Sequence, residues 1–210
     1  MSPDPGAGAS IPEAAGPRAF GVSFDYRCPF ARNLHVGVLA GLAEGRDWQV
    51  TFIPFSQDQS HVEEGEPPVW EQEPEAWGTG VLPLCWGLAV RDTAPDHFLA
   101  WHAATFAARH EQARRIADPE VLAEVAATVG LDPARIAAEV GGGAPLATLA
   151  REHTDAVRRL SMFGVPTLVV GERAAFVRMM SPASAADIER VLDLLAWTDL
   201  NELKHTTVDR

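Results

Sequence analysis

The sequence predicts an α/β protein built from a β-α-β unit and a β-β-α unit, with a large all-helical insertion between them. Three observations carry this prediction: strand-like runs occur near both ends of the chain, each unit contains a segment with helical periodicity, and the long middle stretch is rich in Ala, Leu and Glu. Apolar residues that alternate with polar ones indicate a strand, whereas apolar residues that recur every three or four positions indicate a helix.

The β-α-β unit is predicted for residues 19–55. Its first strand is Ala19–Asp25, where apolar residues alternate with small or polar ones. A helix then runs to about Glu44, because one apolar face recurs at Phe30, Leu34, Val38 and Leu42. The run Trp48–Phe55 is rich in β-branched and aromatic residues and predicts the second strand.

A helical insertion domain is predicted for residues 56–161. A polar connection rich in Pro and Glu opens it, and turn signals such as Gly130–Pro133 and Gly141–Gly143 separate the helical segments. The segments share no fixed period, which argues against a repeat architecture. Helices are predicted near residues 82–90, 96–109, 119–128, 133–138 and 146–160.

The β-β-α unit is predicted for residues 162–198. The apolar run Gly164–Val170 is followed by a short turn and a second run, Ala174–Val177, which together predict a hairpin. Ser181 is the predicted N-cap of the last helix, and Pro182 suits its first position. The apolar face of this helix is formed by Ile188, Val191, Leu192 and Leu195.

The two units are expected to form one domain from which the insertion protrudes. Residues 1–18 contain mainly Pro, Gly and Ala and predict a flexible leader, and residues 199–210 predict a polar tail. The leader lacks the basic and apolar regions of a signal peptide. The sequence also contains no stretch of about 18 consecutive apolar residues, the length needed to span a bilayer. We therefore expect a cytoplasmic protein with no membrane partner. Its oligomeric state is expected to be a monomer or a homodimer.

Composition narrows the partner classes. The chain has 210 residues, 47% of them apolar and 22% charged, which is typical of a folded globular protein. Its net charge of −12 repels phosphate backbones and anionic lipid headgroups, so a nucleic-acid partner is not expected. The histidines show neither an HExxH pattern nor zinc-type spacing with cysteine, so no metal site is predicted.

The two cysteines are predicted to have different roles. Cys28 falls where the first strand ends and the first helix begins, so the unpaired N–H groups and positive dipole end of that helix would face its sulfur. Pro29 suits the first helical turn. This placement predicts a thiol pKa below the usual value of about 8.5. Cys85 lies in an apolar helical segment and is predicted to be buried and inert.

The run Cys28-Pro29-Phe30-Ala31 after a strand, the helical insertion and Val165-Pro166-Thr167 at the start of a later strand together resemble one known family. They resemble the DsbA-like branch of the thioredoxin superfamily, which includes kappa-class glutathione transferases and 2-hydroxychromene-2-carboxylate isomerases. The resemblance covers residues 19–198 and implies a thioredoxin-like fold.

The same resemblance implies a site. Cys28 would be the catalytic residue, and Pro166 would form a cis peptide against it. The preceding Val165 would offer backbone groups to an incoming peptide or thiol. The residues expected to bind the thiol or substrate are Tyr26, Pro29, Phe30, Ala31, Val165 and Pro166.

The sequence departs from the dithiol members of that family at one position. Those members carry Cys-x-x-Cys, in which the second thiol resolves a mixed disulfide on the first, whereas this chain has Ala31 there. Cys28 would therefore act alone, as a monothiol Cys-Pro-Phe-Ala variant. Its disulfide would be resolved by an outside thiol, or by Cys85 if the fold brings the two cysteines close.

Three functions remain open from the sequence. The first is a thiol-disulfide oxidoreductase with no covalently bound cofactor, which uses a low-molecular-weight thiol of the glutathione or mycothiol type as co-substrate. The second is a glutathione-dependent isomerase or transferase, in which Cys28 activates a bound thiol. The third is a non-catalytic binding module. The expected partner is a small-molecule thiol or disulfide substrate.

Several neighbouring residues have two interpretations. The Tyr26 hydroxyl either borders the site or packs at the strand end, and Arg27 either favours the thiolate or is an ordinary turn residue. His35 lies two helical turns beyond Cys28, which is too far for a base. The tryptophans of the insertion either line an apolar cleft or form core, namely Trp70, Trp77, Trp86 and Trp101.

Overall fold

The computed structural model describes residues 17–200 and residue 202. The first unit contains strand β1 (Arg18–Phe24), helix α1 (Pro29–Ala43) and strand β2 (Trp48–Pro54). The last unit contains strand β3 (Thr167–Val170), strand β4 (Arg173–Phe176) and helix α7 (Ala185–Ala196). The predicted order of elements at both ends of the chain is confirmed.

The chain between these units is helical. Three single-turn 3₁₀ helices occupy Gln59–His61, Val69–Glu71 and Pro74–Ala76. Five α-helices follow, namely α2 (Val81–Thr93), α3 (Pro95–His110), α4 (Pro119–Thr128), α5 (Pro133–Gly141) and α6 (Ala144–Leu160). Among the described residues, no helix combines the length and the apolar character that crossing a membrane requires.

The four strands form one mixed sheet in the order β2-β1-β3-β4. Strand β1 lies in the centre, parallel to β2 and antiparallel to β3, and β3 pairs with β4 as the predicted hairpin. Helices α1 and α7 pack against each other, α7 also contacts β3, and α6 packs against β2. The carboxyl end of β1 therefore leads directly into α1 beside the start of β3.

The last helix begins later than predicted. Its N-cap is Ser184, whose hydroxyl accepts a hydrogen bond from the Asp187 N–H at 3.2 Å, while the Asp187 carboxylate accepts one from the Ser184 N–H at 3.0 Å. The prediction of Ser181 as N-cap is wrong because this reciprocal capping box satisfies two backbone donors, and Ser181 has no such partner in its sequence.

The terminal predictions lie mostly outside the described residues. Of the predicted leader, residues 1–16 are not described, and Arg18 already belongs to β1. Of the predicted tail, residue 201 and residues 203–210 are not described. The division into a thioredoxin-like domain (19–55 and 162–198) and an insertion domain (56–161) stays a prediction.

Candidate active site

Cys28 is the N-cap residue of α1 and has an extended backbone, with φ −79° and ψ 117°. Its sulfur accepts a hydrogen bond from the Ala31 N–H, with 3.4 Å between nitrogen and sulfur. Pro29 occupies the first helical turn, where no backbone donor is needed. The strand-to-helix junction thus holds the sulfur at the N-terminus of α1, as the sequence predicted.

The second wall of the site is the loop before β3. The peptide bond between Val165 and Pro166 is cis in the structure, and the Cys28 thiol donates to the Val165 carbonyl oxygen at 3.4 Å. The Thr167 N–H donates to the Ser23 hydroxyl oxygen at 2.8 Å, and the Val177 N–H donates to the Pro166 carbonyl oxygen at 2.9 Å. Strand β1 and the residue that follows β4 therefore fix the loop on either side of the proline.

The electrostatics of Cys28 differ from the sequence prediction. Burial raises the pKa of the Cys28 thiol, and the Asp25 charge raises it further, whereas the backbone N–H groups of Ala31 and Phe30 and the charge of Arg178 lower it. Only 4% of the residue is exposed. The prediction of a lowered thiol pKa is wrong because the loop at Val165 covers the sulfur, and desolvation outweighs the helix N-terminus.

A buried carboxylate lies three residues before the thiol. Asp25 is fully buried and accepts hydrogen bonds from the Arg27 N–H at 2.9 Å and the Gln57 N–H at 3.0 Å. Burial raises the pKa of Asp25, although the adjacent Arg27 guanidinium opposes this. Arg27 also pairs with Asp58 at 2.6 Å, so it is engaged by two carboxylates and is not directed at the sulfur.

Tyr26 does not border the thiol. Its side chain is fully buried, and its hydroxyl lies 3.0 Å from the Nδ1 atom of His102 in α3. The expectation that Tyr26 binds the thiol is corrected, because the side chain points into the core between β1 and the insertion. The carbonyl of Tyr26 accepts from His110 at 2.9 Å, so both ends of this residue contact α3.

The Tyr26 contact continues as a chain of buried hydrogen bonds. His102 Nε2 lies 2.8 Å from His35 Nδ1, and His35 Nε2 lies 3.1 Å from the Ser23 carbonyl oxygen. That carbonyl accepts only, so a neutral His35 donates from Nε2, His102 donates to His35, and Tyr26 donates to His102. Burial lowers the pKa of His35 to about 4 and that of His102 well below its ordinary value, so both rings are neutral at neutral pH.

The outer edge of the Cys28 turn is more open. Pro29 is exposed and Phe30 half-buried, and the Arg178 guanidinium carbon lies 4.2 Å from the centroid of the Phe30 ring. The Asn33 side-chain amide donates to the Met179 carbonyl oxygen at 2.9 Å and so ties the segment that carries Arg178 to α1. A cation–π contact is thereby held next to the thiol.

The remaining candidates belong to the core. Cys85 is 1% exposed, burial raises its pKa to about 12, and both cysteines are free thiols. Trp86 and Trp101 stack with ring centroids 5.9 Å apart. Within residues 17–200 and residue 202, no group of three or more His, Cys, Asp or Glu side chains could hold a metal ion.

The raised thiol pKa gives a direct prediction. We expect the alkylation rate of Cys28 to rise with pH through an inflection above the free-thiol value of about 8.5. Asp25→Asn should move that inflection to lower pH and raise the rate at neutral pH several-fold, because it removes the negative charge that opposes the thiolate. Alkylation kinetics with mass detection, measured across a pH series, would give both inflections.

Asp58→Asn is the matched control for this substitution. Asp58 also pairs with Arg27, but it is not among the charges that act on the thiol. In Asp58→Asn the Cys28 alkylation rate should keep its inflection at the wild-type pH. A wild-type inflection below the free-thiol value, or an equal shift in both variants, would contradict the prediction.

Comparison with known proteins agrees with this architecture. Residues 93–190 match the sequence model of the DSBA-like thioredoxin domain, a range that contains the cis-proline loop but not Cys28. No curated protein sequence matches the chain.

Solved structures resemble nearly the whole described chain. A cytosolic disulfide reductase, DsbM from Pseudomonas aeruginosa determined with GSH, is 19% identical with a TM-score of 0.62, over 83% of this chain and 97% of that one. DsbA from the same species is 20% identical with a TM-score of 0.56, over 86% and 83%. A compact form of Proteus mirabilis ScsC is 16% identical with a TM-score of 0.56, over 86% and 84%. The predicted thioredoxin-like fold with added helices is confirmed.

Proposed function

From the premise that this chain carries a DsbA-like thioredoxin domain, we propose that it is a thiol-disulfide oxidoreductase that uses Cys28 alone and a low-molecular-weight thiol as co-substrate. One observation supports this proposal above the others. The Cys28 sulfur lies between the N-terminus of α1 and the Val165 carbonyl, while the position three residues later is Ala31 and the other cysteine is buried.

The reaction divides into two exchanges. In the first, the Cys28 thiolate attacks one sulfur of a substrate disulfide, forms a mixed disulfide and releases the other half as a thiolate. In the second, an external thiolate attacks the substrate sulfur of that mixed disulfide, which forms a new disulfide and returns Cys28 as a thiolate that takes up a proton. The external thiol supplies the electrons, as the missing second cysteine requires.

The burial of Cys28 shapes both steps. A thiol with a raised pKa is mostly protonated at neutral pH, but its thiolate is intrinsically more nucleophilic than that of an acidic thiol. The Ala31 N–H is positioned to stabilise the thiolate as it forms. A supply of reduced small thiols suits the cytoplasm, which is the compartment we propose.

The hydrogen bond that the Cys28 thiol donates to the Val165 carbonyl favours a second candidate function. A Cys28 that keeps its proton donates a hydrogen bond, as it now does to Val165. If a thiol bound in front of it, Cys28 could donate to that sulfur and stabilise its thiolate, which is the chemistry of a glutathione-dependent isomerase or transferase. This candidate requires no covalent bond to Cys28.

Intact-protein mass spectrometry after incubation with glutathione disulfide separates these functions. We expect one glutathionyl group on Cys28, its removal by reduced glutathione, and turnover in a coupled assay with hydroxyethyl disulfide. A bound thiol with no adduct would instead support the isomerase or transferase. If neither an adduct nor thiol binding is detected, both the oxidoreductase and the isomerase or transferase are contradicted, and the non-catalytic binding module is left.

A further inference from the structure

A groove lies beside the Cys28 turn, along the outer side of β4. Its volume is about 700 Å³, within the range of small-molecule sites. Phe163 and Arg178 line it at the end near the cis-proline loop, and Arg173, Leu194 and Leu200 line it farther along. Cys28 is not part of its wall, but Arg178 stacks on Phe30, two residues after the thiol.

We propose that this groove binds the carboxylate-bearing body of the low-molecular-weight thiol, with Arg178 as the residue that selects an anionic thiol over a neutral or cationic one. The inference rests on the proposed function and names its co-substrate class. A guanidinium presents a planar pair of donors that matches a carboxylate, so it is well suited to this task.

Arg178 is held in position for such a contact. Its segment is fixed on one side by the Val177 N–H, which donates to the Pro166 carbonyl, and on the other by Asn33, which donates to the Met179 carbonyl. The side chain is exposed, and none of the described carboxylates pairs with it. Its guanidinium carbon lies 4.2 Å from the centroid of the Phe30 ring, which places the charge beside the turn that carries Cys28.

A second arginine in the groove points to the same ligand chemistry. Arg173 donates from Nη2 to the Leu200 carbonyl oxygen at 3.1 Å, but its Nη1 is buried and has no hydrogen-bond partner among the described residues. Because Arg173 also lines the groove, its guanidinium adds a second positive charge to the wall, which favours an anionic ligand. Glu202 also lines the groove and would repel an anion, but the two arginines leave the lining with a net positive charge.

The walls of the groove suit a small, partly apolar molecule. Phe163 is 73% exposed and Phe176 38%, and their ring centroids lie 5.2 Å apart. The two rings would cover the aliphatic part of a thiol compound while its carboxylate contacts Arg178 and its sulfur extends toward Cys28. This arrangement gives the site one charged contact and one apolar surface.

The net charge of the protein makes the proposal sharply testable. With a net charge of −12, the overall field favours a cationic disulfide over an anionic one. If Arg178 and the groove dominate, the preference is reversed. The experiment compares exchange rates with three disulfides at one ionic strength: dithiodiglycolate as the anion, hydroxyethyl disulfide as the neutral compound and cystamine as the cation.

We expect the wild-type protein to react faster with dithiodiglycolate than with cystamine. Arg178→Met should lower the ratio of anionic to neutral rates about tenfold, because one charge-assisted contact is lost. The ratio is the proper readout, since loss of the Arg178 charge also slows the thiol toward every disulfide. Arg178→Lys should restore part of the ratio, and the exposed Arg158→Met, which changes net charge equally, should leave it unchanged.

Binding of S-methylglutathione, which cannot exchange, tests the inference independently of catalysis. By calorimetry we expect it to bind the wild-type and Cys28→Ser proteins alike, and Arg178→Met about tenfold more weakly. Exchange that favours cystamine, or binding that Arg178→Met does not weaken, would overturn the inference while leaving the proposed function in place. Binding without any exchange would remove the proposed function and leave the groove assignment standing.

Discussion

Replacing Cys28 by Ser is expected to reduce exchange with small disulfides to the uncatalysed rate, a loss of more than about 10³-fold, because a serine hydroxyl does not attack disulfides at neutral pH. The fold should survive this change. Cys28 is the N-cap of α1, and Ser is among the preferred residues at that position, so its hydroxyl can accept the Ala31 N–H in place of the sulfur. The coupled assay and a thermal melt would measure the two effects.

Cys85→Ser is the control for this substitution. Cys85 is buried in α2, so the change should leave exchange intact even if it lowers stability. Retained exchange in Cys28→Ser together with loss in Cys85→Ser would reverse the roles of the two cysteines. A disulfide between Cys28 and Cys85, detected by peptide mapping after oxidation, would show that the protein has a resolving thiol of its own.

Much of the fold follows from local patterns in the sequence. Strand β1 and helix α1 are specified by alternation and by a four-residue repeat, and Pro29 marks the first turn of α1. Because Cys28 lies between these two elements, its place at a helix N-terminus could be predicted. The proximity of Cys28 to Val165, 137 residues away, could be expected only from the family resemblance.

Properties that depend on tertiary contacts could not be predicted from local sequence patterns. The pKa of Cys28 is set by the loop that covers it, and the sequence around Cys28 contains no sign of that cover. His102 lies in α3 and meets His35 and Tyr26, which are 67 and 76 residues away in the chain. The sequence offered one signal: Tyr26 is the only tyrosine and precedes Cys28 by two residues. That signal pointed to the thiol as the partner of the Tyr26 hydroxyl, whereas the partner in the structure is His102.

The buried chain from Tyr26 to Ser23 joins the insertion to the unit that carries Cys28. Helix α3 supplies His102, α1 supplies His35, and both rings are fully buried among aromatic neighbours. Ser23 also holds the loop after Pro166 through its hydroxyl. A substitution that breaks this chain of hydrogen bonds should therefore lower the stability of the fold first. It should then also shift both walls of the site, the Cys28 turn and the cis-proline loop.

His102→Leu is expected to lower the free energy of unfolding by about 2 to 5 kcal/mol at pH 7.5, because it leaves two buried groups, the Tyr26 hydroxyl and His35 Nδ1, without partners. Chemical denaturation would measure the change. Tyr26→Phe in the same background should cost less than it does alone, since it removes a hydroxyl that the first substitution has already orphaned. The exposed His61→Leu is the control and should change stability little.

The cost of His102→Leu should also shrink in acid. The folded-state pKa of His35 is about 4, against about 6.5 for an unfolded histidine, so the unfolded chain binds more protons and wild-type stability falls as pH drops from 6.5 to 4. For His35 this loss approaches about 3 kcal/mol, and His102, whose pKa is also lowered, adds to it. Only the wild type carries His102, so its titration makes wild-type stability fall more steeply in acid, while His35, His110 and His153 titrate in both proteins. Denaturation at several pH values from 7.5 to about 4.5 should therefore show the two stability curves converging. Curves that stay parallel would mean that the neutral His102 ring does not contribute to the acid sensitivity of the fold.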